Sequence, residues 1–367
     1  GVGFGSGRCR CRGSVVRHHA PAALGALINI GGDHRLLGMG ALAFQPFMTP
    51  GTNPDSDTVI RMATHSTSIY SKPNDKSTIL YQRKRDDLVN VYDEIVSPDG
   101  PGYNPVWFRV WRGYIHSARV QKVKTILNPV ASSIPERGQL AEVSVPFTQS
   151  MRYLPYKKAW EPVYRLYYES THWVVAIDEG PDGQPWYRVH DELLEFTYNV
   201  PAAHLRLVQP EEFAPITPEL EPWKKRIEIS IARQELVAYE DTSEVLRTKV
   251  STGVFPWRKE PGLIPTNTPT GEYHIFSKMA SKHMGNGQVT ADIEAYELLG
   301  VPWTSFFVET GVAIHGTYWH RNYGTPMSRG CVNVTPEVAK WVFRWTTPVC
   351  EPNVWEQRGY GTLVVVS

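Results

Sequence analysis

The chain has 367 residues, of which 41% are hydrophobic and 20% charged, so it is not disordered as a whole and can bury folded cores. Its 38 Lys and Arg residues nearly balance its 37 Asp and Glu residues, and this net charge of +1 argues against a nucleic-acid-binding protein, whose domains usually carry a basic excess. The 29 Pro and 29 Gly residues favour short strands and turns over helical bundles, and the length predicts about two or three domains.

The N-terminal residues 1–58 have the composition of a targeting segment followed by a polar linker. A basic stretch accompanies two apolar, Gly- and Ala-rich runs at 20–30 and 36–47, a pattern that is typical of a secretory signal. Asp33 and His34 interrupt the runs, which leaves a fragmentary leader as the alternative. We therefore expect an exported protein, at the cell envelope or the extracellular face. The arginines of this region are Arg8, Arg10, Arg12, Arg17 and Arg35.

Two segments, 59–127 and 140–209, share one order of predicted elements. In each, apolar and polar residues alternate as in half-buried strands, around a turn rich in Pro, Gly and Asp. The repeat is clearest where WFRV at 107–110 aligns with WYRV at 186–189, about 80 residues later. These segments, called here the first and second β units, are predicted to be two copies of one small fold.

The pair of β units resembles tandem bacterial SH3-like domains, and Ile69–Pro73 is similar to the start of such a repeat. The resemblance implies two small β-barrels that help to dock the protein on a cell wall. The alternative is that the units are spacers, or a lid packed against the rest of the chain. Their tryptophans are predicted to lie in the barrel cores rather than on a ligand platform: Trp107, Trp111, Trp173 and Trp186.

A Pro- and Glu-rich linker, 209–222, separates the β units from a C-terminal domain at 223–367. In that domain, alternating isoleucines predict that Lys225–Tyr239 begins as a strand. The chain is then expected to turn at Glu240–Ser243 and to return, which predicts a hairpin.

The other predicted elements of the C-terminal domain are short strands and one helix. Strands are predicted within 268–276 and 302–316, where short β-type runs adjoin Pro or Gly turns. A helix is predicted at Thr335–Trp345, with Thr335 as N-cap and Pro336 in the first position. The fold class is therefore predicted as mainly β, with one clear helix near the C-terminus.

Cys331 and His315 form the candidate site of this domain. Cys331 follows Gly330, which lets the backbone approach a substrate, and it precedes the predicted helix, whose first N–H groups favour negative charge. These features predict a lowered thiol pKa and an oxyanion site, and a nearby imidazole can take the thiol proton. Taken singly, each residue could be structural, but the pair, sixteen residues apart and flanked by Gly and Ser, favours a nucleophile and its base.

The segment that holds both residues, HGTYWHRNYGTPMSRGCVN at His315–Asn333, resembles the signature of the L,D-transpeptidases, also called the YkuD-like family. Three more stretches match the pattern of that family in the same order: Gln234–Tyr239, Val250–Gly253 and Thr268–Ile275. The resemblance covers about residues 223–367 and implies a β-sandwich-like catalytic domain.

The resemblance implies that Cys331 attacks the carbonyl of the third residue of a peptidoglycan stem tetrapeptide and expels the terminal D-alanine. The side-chain amine of a diamino acid on a neighbouring stem would then attack the thioester and give a 3→3 cross-link. Water in place of the amine would make the enzyme an L,D-carboxypeptidase. No cofactor is implied. The expected partners are stem peptides and the cell wall, with no nucleic acid, and the protein is expected to be a monomer.

The resemblance also implies roles for residues around Cys331. His315 would be the general base, and the carbonyl of Gly316 would orient it. Ser328, Gly330 and the backbone amide of Cys331 would shape the oxyanion site. Three further residues would line the substrate groove: Tyr318, Tyr273 and His274.

One position departs from the usual Ser-His-Gly-Cys pattern of the family, because this chain has Arg329 where histidine is usual. The change removes a second candidate base and leaves His315 as the better assignment. Arg329 could stabilise the thiolate or hold an acidic group of the stem, since guanidinium pairs well with carboxylate. The alternative is a surface arginine that forms a local salt bridge.

Other functions fit these residues less well. His315, His320 and Cys331 could together bind a metal, but zinc sites normally supply more ligands at tighter spacing, so no metal is predicted. A papain-like peptidoglycan hydrolase places its Cys before its His, the reverse of the order in this chain. A non-catalytic wall-binding protein would be expected to have lost one of the two. His283 stays unassigned, and Cys350 is expected to be a structural or surface thiol.

Overall fold

The computed structural model describes residues 58–255 and 266–367, so the predicted leader and nearly all of the linker after it lie outside the described residues. The described residues fall within one compact unit. They form twenty-five β-strands and, within these two ranges, a single α-helix, which confirms the mainly β prediction. Over the same part of the chain, no helix is long and apolar enough to cross a membrane.

The first β unit contains eight strands: β1 (Thr58–Met62), β2 (Ser66–Tyr70), β3 (Ile79–Lys84), β4 (Leu88–Val91), β5 (Asp93–Val96), β6 (Val106–Val110), β7 (Gly113–His116) and β8 (Val120–Val123). They form two antiparallel sheets with strand orders β4-β1-β8 and β3-β2-β7-β6-β5. Strand alternation directs apolar side chains such as Ile60, Ile69, Phe108 and Ile115 into one core between these sheets.

The second β unit contains seven strands: β9 (Gln139–Val143), β10 (Phe147–Leu154), β11 (Ala159–Tyr167), β12 (Thr171–Glu179), β13 (Pro185–Asp191), β14 (Phe196–Pro201) and β15 (Leu205–Leu207). They form one sheet with strand order β11-β10-β14-β13-β12-β9-β15. The aligned WFRV and WYRV segments lie on β6 and β13, at equivalent points of the two units. The described strands form open sheets, and the resemblance to SH3-like barrels stays a prediction.

The tryptophans of the β units were predicted to lie in the cores of these units. Trp107, Trp173 and Trp186 are buried, but Trp173 packs in the core of the C-terminal domain rather than in that of its own unit. Trp111 is 62% exposed, so that prediction was wrong. The residue directly follows β6, and strand alternation places it on the face of the exposed Arg109, opposite the face that enters the core.

The C-terminal domain contains ten strands and one helix: β16 (Lys225–Ser230), β17 (Glu235–Glu240), β18 (Ser243–Lys249), β19 (Gly271–His274), β20 (Ser277–Gly285), β21 (Glu297–Val308), β22 (Val312–Gly316), β23 (Val332–Val334), α1 (Pro336–Trp345), β24 (Gln357–Arg358) and β25 (Leu363–Val366). Two five-stranded sheets result, with strand orders β18-β17-β16-β25-β19 and β23-β22-β21-β20-β24. Their apolar faces and α1 share one core that includes Ile229, Trp303 and Phe343.

Local signals explain most of these elements. The predicted N-cap is confirmed, because the Thr335 hydroxyl accepts the backbone N–H of Val338 at 3.3 Å. The predicted hairpin is more complex than expected, since Lys225–Tyr239 is itself a hairpin of β16 and β17, and β18 adds a second. The turn between β16 and β17 ends at Gln234, whose φ of 50° is a turn conformation. The alternating isoleucines do not predict it.

The segment 209–222, expected as a linker, packs on the C-terminal domain. It contains the 3-10 turn Pro210–Phe213, and Phe213 is buried against Trp303 and Phe343. Its composition gave no sign of this contact, because only a few of its residues provide it: Phe213 and the partly buried Ile216 pack on the core, and Glu212 pairs with Lys340 of α1.

A buried charge cluster joins the two β units. Arg61, which is 2% exposed, donates to Asp86 at 2.9 Å, and Arg165 of the second unit donates to the other oxygen of Asp86 at 2.8 Å. Arg61 also donates to the carbonyl of Tyr318 in the C-terminal domain at 3.2 Å. One carboxylate therefore offsets two guanidinium groups where all three parts of the chain meet.

We expect Asp86→Asn to destabilise the protein by about 3–5 kcal/mol, because it leaves the buried guanidinium of Arg61 without its counter-charge. Urea unfolding followed by tryptophan fluorescence measures the change. The matched control is Asp93→Asn, at an exposed aspartate of the same unit, with an expected change within about 0.5 kcal/mol. Equal effects of the two substitutions would contradict the importance of the cluster.

Candidate active site

The two predicted catalytic side chains come from neighbouring strands. β22 and β23 pair in parallel, with Ile314 opposite Val332 and His315 opposite Asn333. Cys331 immediately precedes β23, so this register places it close to His315 along the same strand pair. Both residues line one cavity of about 590 Å³. Of the predicted site residues, Ser328, Arg329 and Tyr318 also line this cavity.

A network of hydrogen bonds fixes the backbone of the loop before Cys331. The Ser328 hydroxyl donates to the Cys331 carbonyl at 2.5 Å and accepts the Gly330 N–H at 3.1 Å. The Thr268 hydroxyl donates to the Gly330 carbonyl and accepts the Gly253 N–H, both at 2.8 Å. Gly330 has a φ of 117°, which favours glycine at this position. Ser328 therefore acts on the shape of the turn.

The matched segments Val250–Gly253 and Thr268–Ile275 thus have a structural role at the site. Gly253 forms a parallel bridge to Ser328, and a Cβ at Gly253 would lie 2.2 Å from the Thr266 carbonyl oxygen. Only glycine fits there, and the close approach lets Thr268 reach the loop that precedes Cys331.

His315 is buried and has one defined partner. Its Nδ1 lies 3.0 Å from the carbonyl oxygen of Gly316, the contact that was predicted to orient the ring. Because a carbonyl only accepts, we place the proton on Nδ1, which leaves the lone pair of Nε2 available as a base. Burial lowers the pKa of His315 to about 4, so the imidazole is neutral near pH 7.

Cys331 is half-buried, and its Sγ lies 3.7 Å from the carbonyl oxygen of Gly311. Burial raises the pKa of the thiol to about 11, so the expected lowering was wrong. The reason is positional, since β23 separates Cys331 from α1, which begins only at Pro336, while desolvation acts directly on the sulfur. The resting site therefore holds a neutral thiol and a neutral imidazole.

His320 supports the site without a free nitrogen. Its Nδ1 accepts the backbone N–H of Asn322 at 3.2 Å, and its Nε2 lies 2.9 Å from the amide of Asn333. Burial lowers the pKa of His320 to about 3. In residues 58–255 and 266–367, no three His, Cys, Asp or Glu side chains are grouped as a metal site.

Two of the predicted groove residues lie elsewhere. Tyr273 and His274 are on β19, at the edge of the other sheet, and neither lines the cavity at Cys331. The Tyr273 hydroxyl donates to the Thr270 carbonyl at 2.9 Å. His274 lies between the Gly361 carbonyl and the Tyr360 hydroxyl, at 2.8 and 2.7 Å. Tyr318 does line the cavity, but its hydroxyl donates to the Leu299 carbonyl at 2.9 Å.

The β units also contribute to this cavity, which their local sequence patterns did not predict. The first unit contributes Arg61, Arg85 and Arg119, and the second contributes Tyr164, Arg165 and Tyr167. The loop between β20 and β21 completes the wall, and its Glu294 pairs with Arg85 at 3.0 Å. The units thus pack against the C-terminal domain, and their role as a cell-wall anchor, a spacer or a lid stays a prediction. Local patterns gave no signal for these contacts, because they join residues far apart in the chain.

Residues 224–366 match the family model of YkuD, the L,D-transpeptidase catalytic domain. This match confirms the resemblance for the C-terminal domain and identifies it as a catalytic domain of that family. No curated protein matches the chain.

Solved structures similar to the chain include three L,D-transpeptidases. One from Xylanimonas cellulosilytica is 22% identical, with 40% of this chain and 62% of that chain covered and a TM-score of 0.29. A mutant from Enterococcus faecium is 24% identical, with 41% and 51% covered and a TM-score of 0.28. One from Mycobacterium smegmatis is 14% identical, with 68% and 89% covered and a TM-score of 0.30. The chain thus spans less than two thirds of the length of the first two.

The neutral resting state predicts how Cys331 reacts with iodoacetamide. Because the thiol pKa is raised to about 11, thiolate appears only at high pH, and alkylation should still be accelerating between about pH 8 and 10. Peptide-resolved mass spectrometry measures the rate at Cys331, with an unfolded peptide spanning 328–334 as the control that levels off above about pH 9. A constant rate between pH 5 and 8 would indicate a preformed thiolate–imidazolium pair and contradict this assignment.

Proposed function

We propose that the YkuD catalytic domain at residues 224–366 makes this chain a cysteine-dependent L,D-transpeptidase of peptidoglycan stem peptides. The supporting observation is that Cys331 and His315 line one cavity while the Gly316 carbonyl holds the His315 ring with Nε2 unprotonated. A thiol, a base and room for a peptide are the parts that acyl transfer through a thioester needs.

The first half-reaction is acylation of Cys331. His315 Nε2 takes the thiol proton as Sγ attacks the carbonyl of the third stem residue, and a tetrahedral oxyanion forms. The turn from Ser328 to Cys331 presents backbone N–H groups, of which that of Gly330 is bonded to Ser328 and that of Cys331 is the candidate oxyanion donor. Collapse of the intermediate breaks the peptide bond, and the imidazolium returns its proton to the amine of the departing D-alanine.

The low pKa of His315 suits the second of these proton transfers. An imidazolium whose pKa is about 4 is a strong acid toward a leaving amine. The same burial makes the first transfer costly, because it creates two charges from a neutral pair. The reaction therefore depends on stabilisation that the bound peptide and the oxyanion site provide.

The second half-reaction decides the product. The side-chain amine of a diamino acid on a neighbouring stem attacks the thioester carbonyl, loses its proton to His315 and releases the thiol, which gives a 3→3 cross-link. Water as the acceptor gives a shortened stem, and the chain then acts as an L,D-carboxypeptidase. A cell-wall substrate also requires export, which the composition of residues 1–58 favours.

We expect the purified chain to convert a disaccharide-tetrapeptide into a dimer that lacks one D-alanine, as followed by mass spectrometry. Cys331→Ala should abolish the product, and His315→Asn should slow it by about 100-fold or more, because a positioned base typically contributes that much. Cys350→Ala removes the other thiol of the described residues and serves as the control with normal activity.

The products separate the alternatives. A tripeptide stem without dimer, still dependent on Cys331, would make the chain a carboxypeptidase. Product from Cys331→Ala would contradict the assignment of the nucleophile. Complete absence of conversion by the unsubstituted chain would favour the non-catalytic wall-binding function.

A further inference from the structure

Five arginines line the cavity at Cys331, and three of them have carboxylate partners. Arg61 and Arg165 share Asp86, and Arg85 pairs with Glu294. These three guanidinium groups therefore share two carboxylates within the protein. Their role is structural, because they connect the β units to each other and to the loop between β20 and β21.

The other two arginines have no carboxylate partner among residues 58–255 and 266–367. Arg329 lies over the ring of Tyr296, at 4.2 Å from the ring centroid. Arg119, from the first β unit, is exposed and makes no side-chain hydrogen bond, ion pair or ring contact with a described residue. Asp292 also lines the cavity, and its Oδ1 accepts the Glu294 N–H at 3.0 Å. Two guanidinium groups without a carboxylate partner among the described residues therefore face the cavity. That of Arg329 lies on the side of the catalytic domain, and that of Arg119 lies on the side of the first β unit.

The backbone that carries Arg119 is tied to the catalytic domain. Arg119 ends the 3-10 turn Ser117–Arg119, and its carbonyl accepts the N–H of Ala63 at 3.0 Å. The carbonyl of Ala118 accepts the N–H of Arg321 at 3.1 Å, in the loop that follows His315. The position of Arg119 is thus set relative to the site by bonds on both sides, which an arginine on a free surface would lack.

We propose that Arg119 is a substrate-binding residue that selects peptides with a free carboxylate. A guanidinium offers a planar fork of donors that matches a carboxylate, and the exposed group needs little desolvation to bind it. A stem peptide carries carboxylates that the reaction does not consume. The inference rests on the proposed function, and it adds that the first β unit takes part in choosing the substrate.

Steady-state kinetics with two substrates test the proposal: the disaccharide-tetrapeptide, and the same compound with every carboxylate except that of the terminal D-alanine converted to a primary amide. Arg119→Gln should raise KM for the acidic substrate about tenfold, with kcat nearly unchanged, and leave KM for the amidated one unaltered. The KM of Arg119→Lys for the acidic substrate should fall between those of the unsubstituted chain and of Arg119→Gln, because lysine keeps the charge without the planar fork of donors. Arg109→Gln, at an exposed arginine of β6 outside the cavity lining, is the matched control.

The outcomes are distinct. Equal KM changes for both substrates, or no change relative to Arg109→Gln, would overturn the role of Arg119 while leaving the proposed function in place. Absence of acylated Cys331 in the unsubstituted chain with either substrate would instead overturn the proposed function itself. Thermal unfolding of each variant controls for loss of the fold.

Discussion

The parallel pairing of β22 with β23 is the constraint on which the site depends. It brings together His315, near the end of β22, and Cys331, in the loop before β23. These two residues are sixteen positions apart in the chain. The hydrogen bonds of Ser328 and Thr268 then hold the loop before β23 in one shape. Thr268 and Gly253 bind the loop from two other segments, so the matched motifs of the domain converge on the backbone that precedes Cys331.

The burial that this packing produces sets the electrostatics of the site. Desolvation lowers the pKa of His315 and raises that of Cys331, so both are neutral before substrate binds. Such a site is protected from unspecific reaction of the thiol, since the thiolate is the reactive form. In the proposed reaction, the bound peptide must supply or complete the interactions that make proton transfer favourable, and this links chemistry to correct binding.

The sequence predicted those features that depend on local patterns. Thr335 and Pro336 marked the start of the helix, and the alternation of apolar residues marked most strands, because capping and strand pleating act over a few residues. The turn at Gln234 depends on a single backbone conformation that alternation does not encode. The arginines of the cavity could not be predicted from local patterns for another reason. Arg61, Arg119 and Arg165 approach the catalytic domain only through contacts between distant parts of the chain.

The most direct test of the account is the mass of the intact protein, quenched in acid within the first turnovers on a disaccharide-tetrapeptide. The account predicts a covalent adduct equal to the substrate minus D-alanine, located on Cys331 by peptide mapping and absent from Cys331→Ala. Cross-linked product without such an adduct, or an adduct on another residue, would contradict acyl transfer through Cys331.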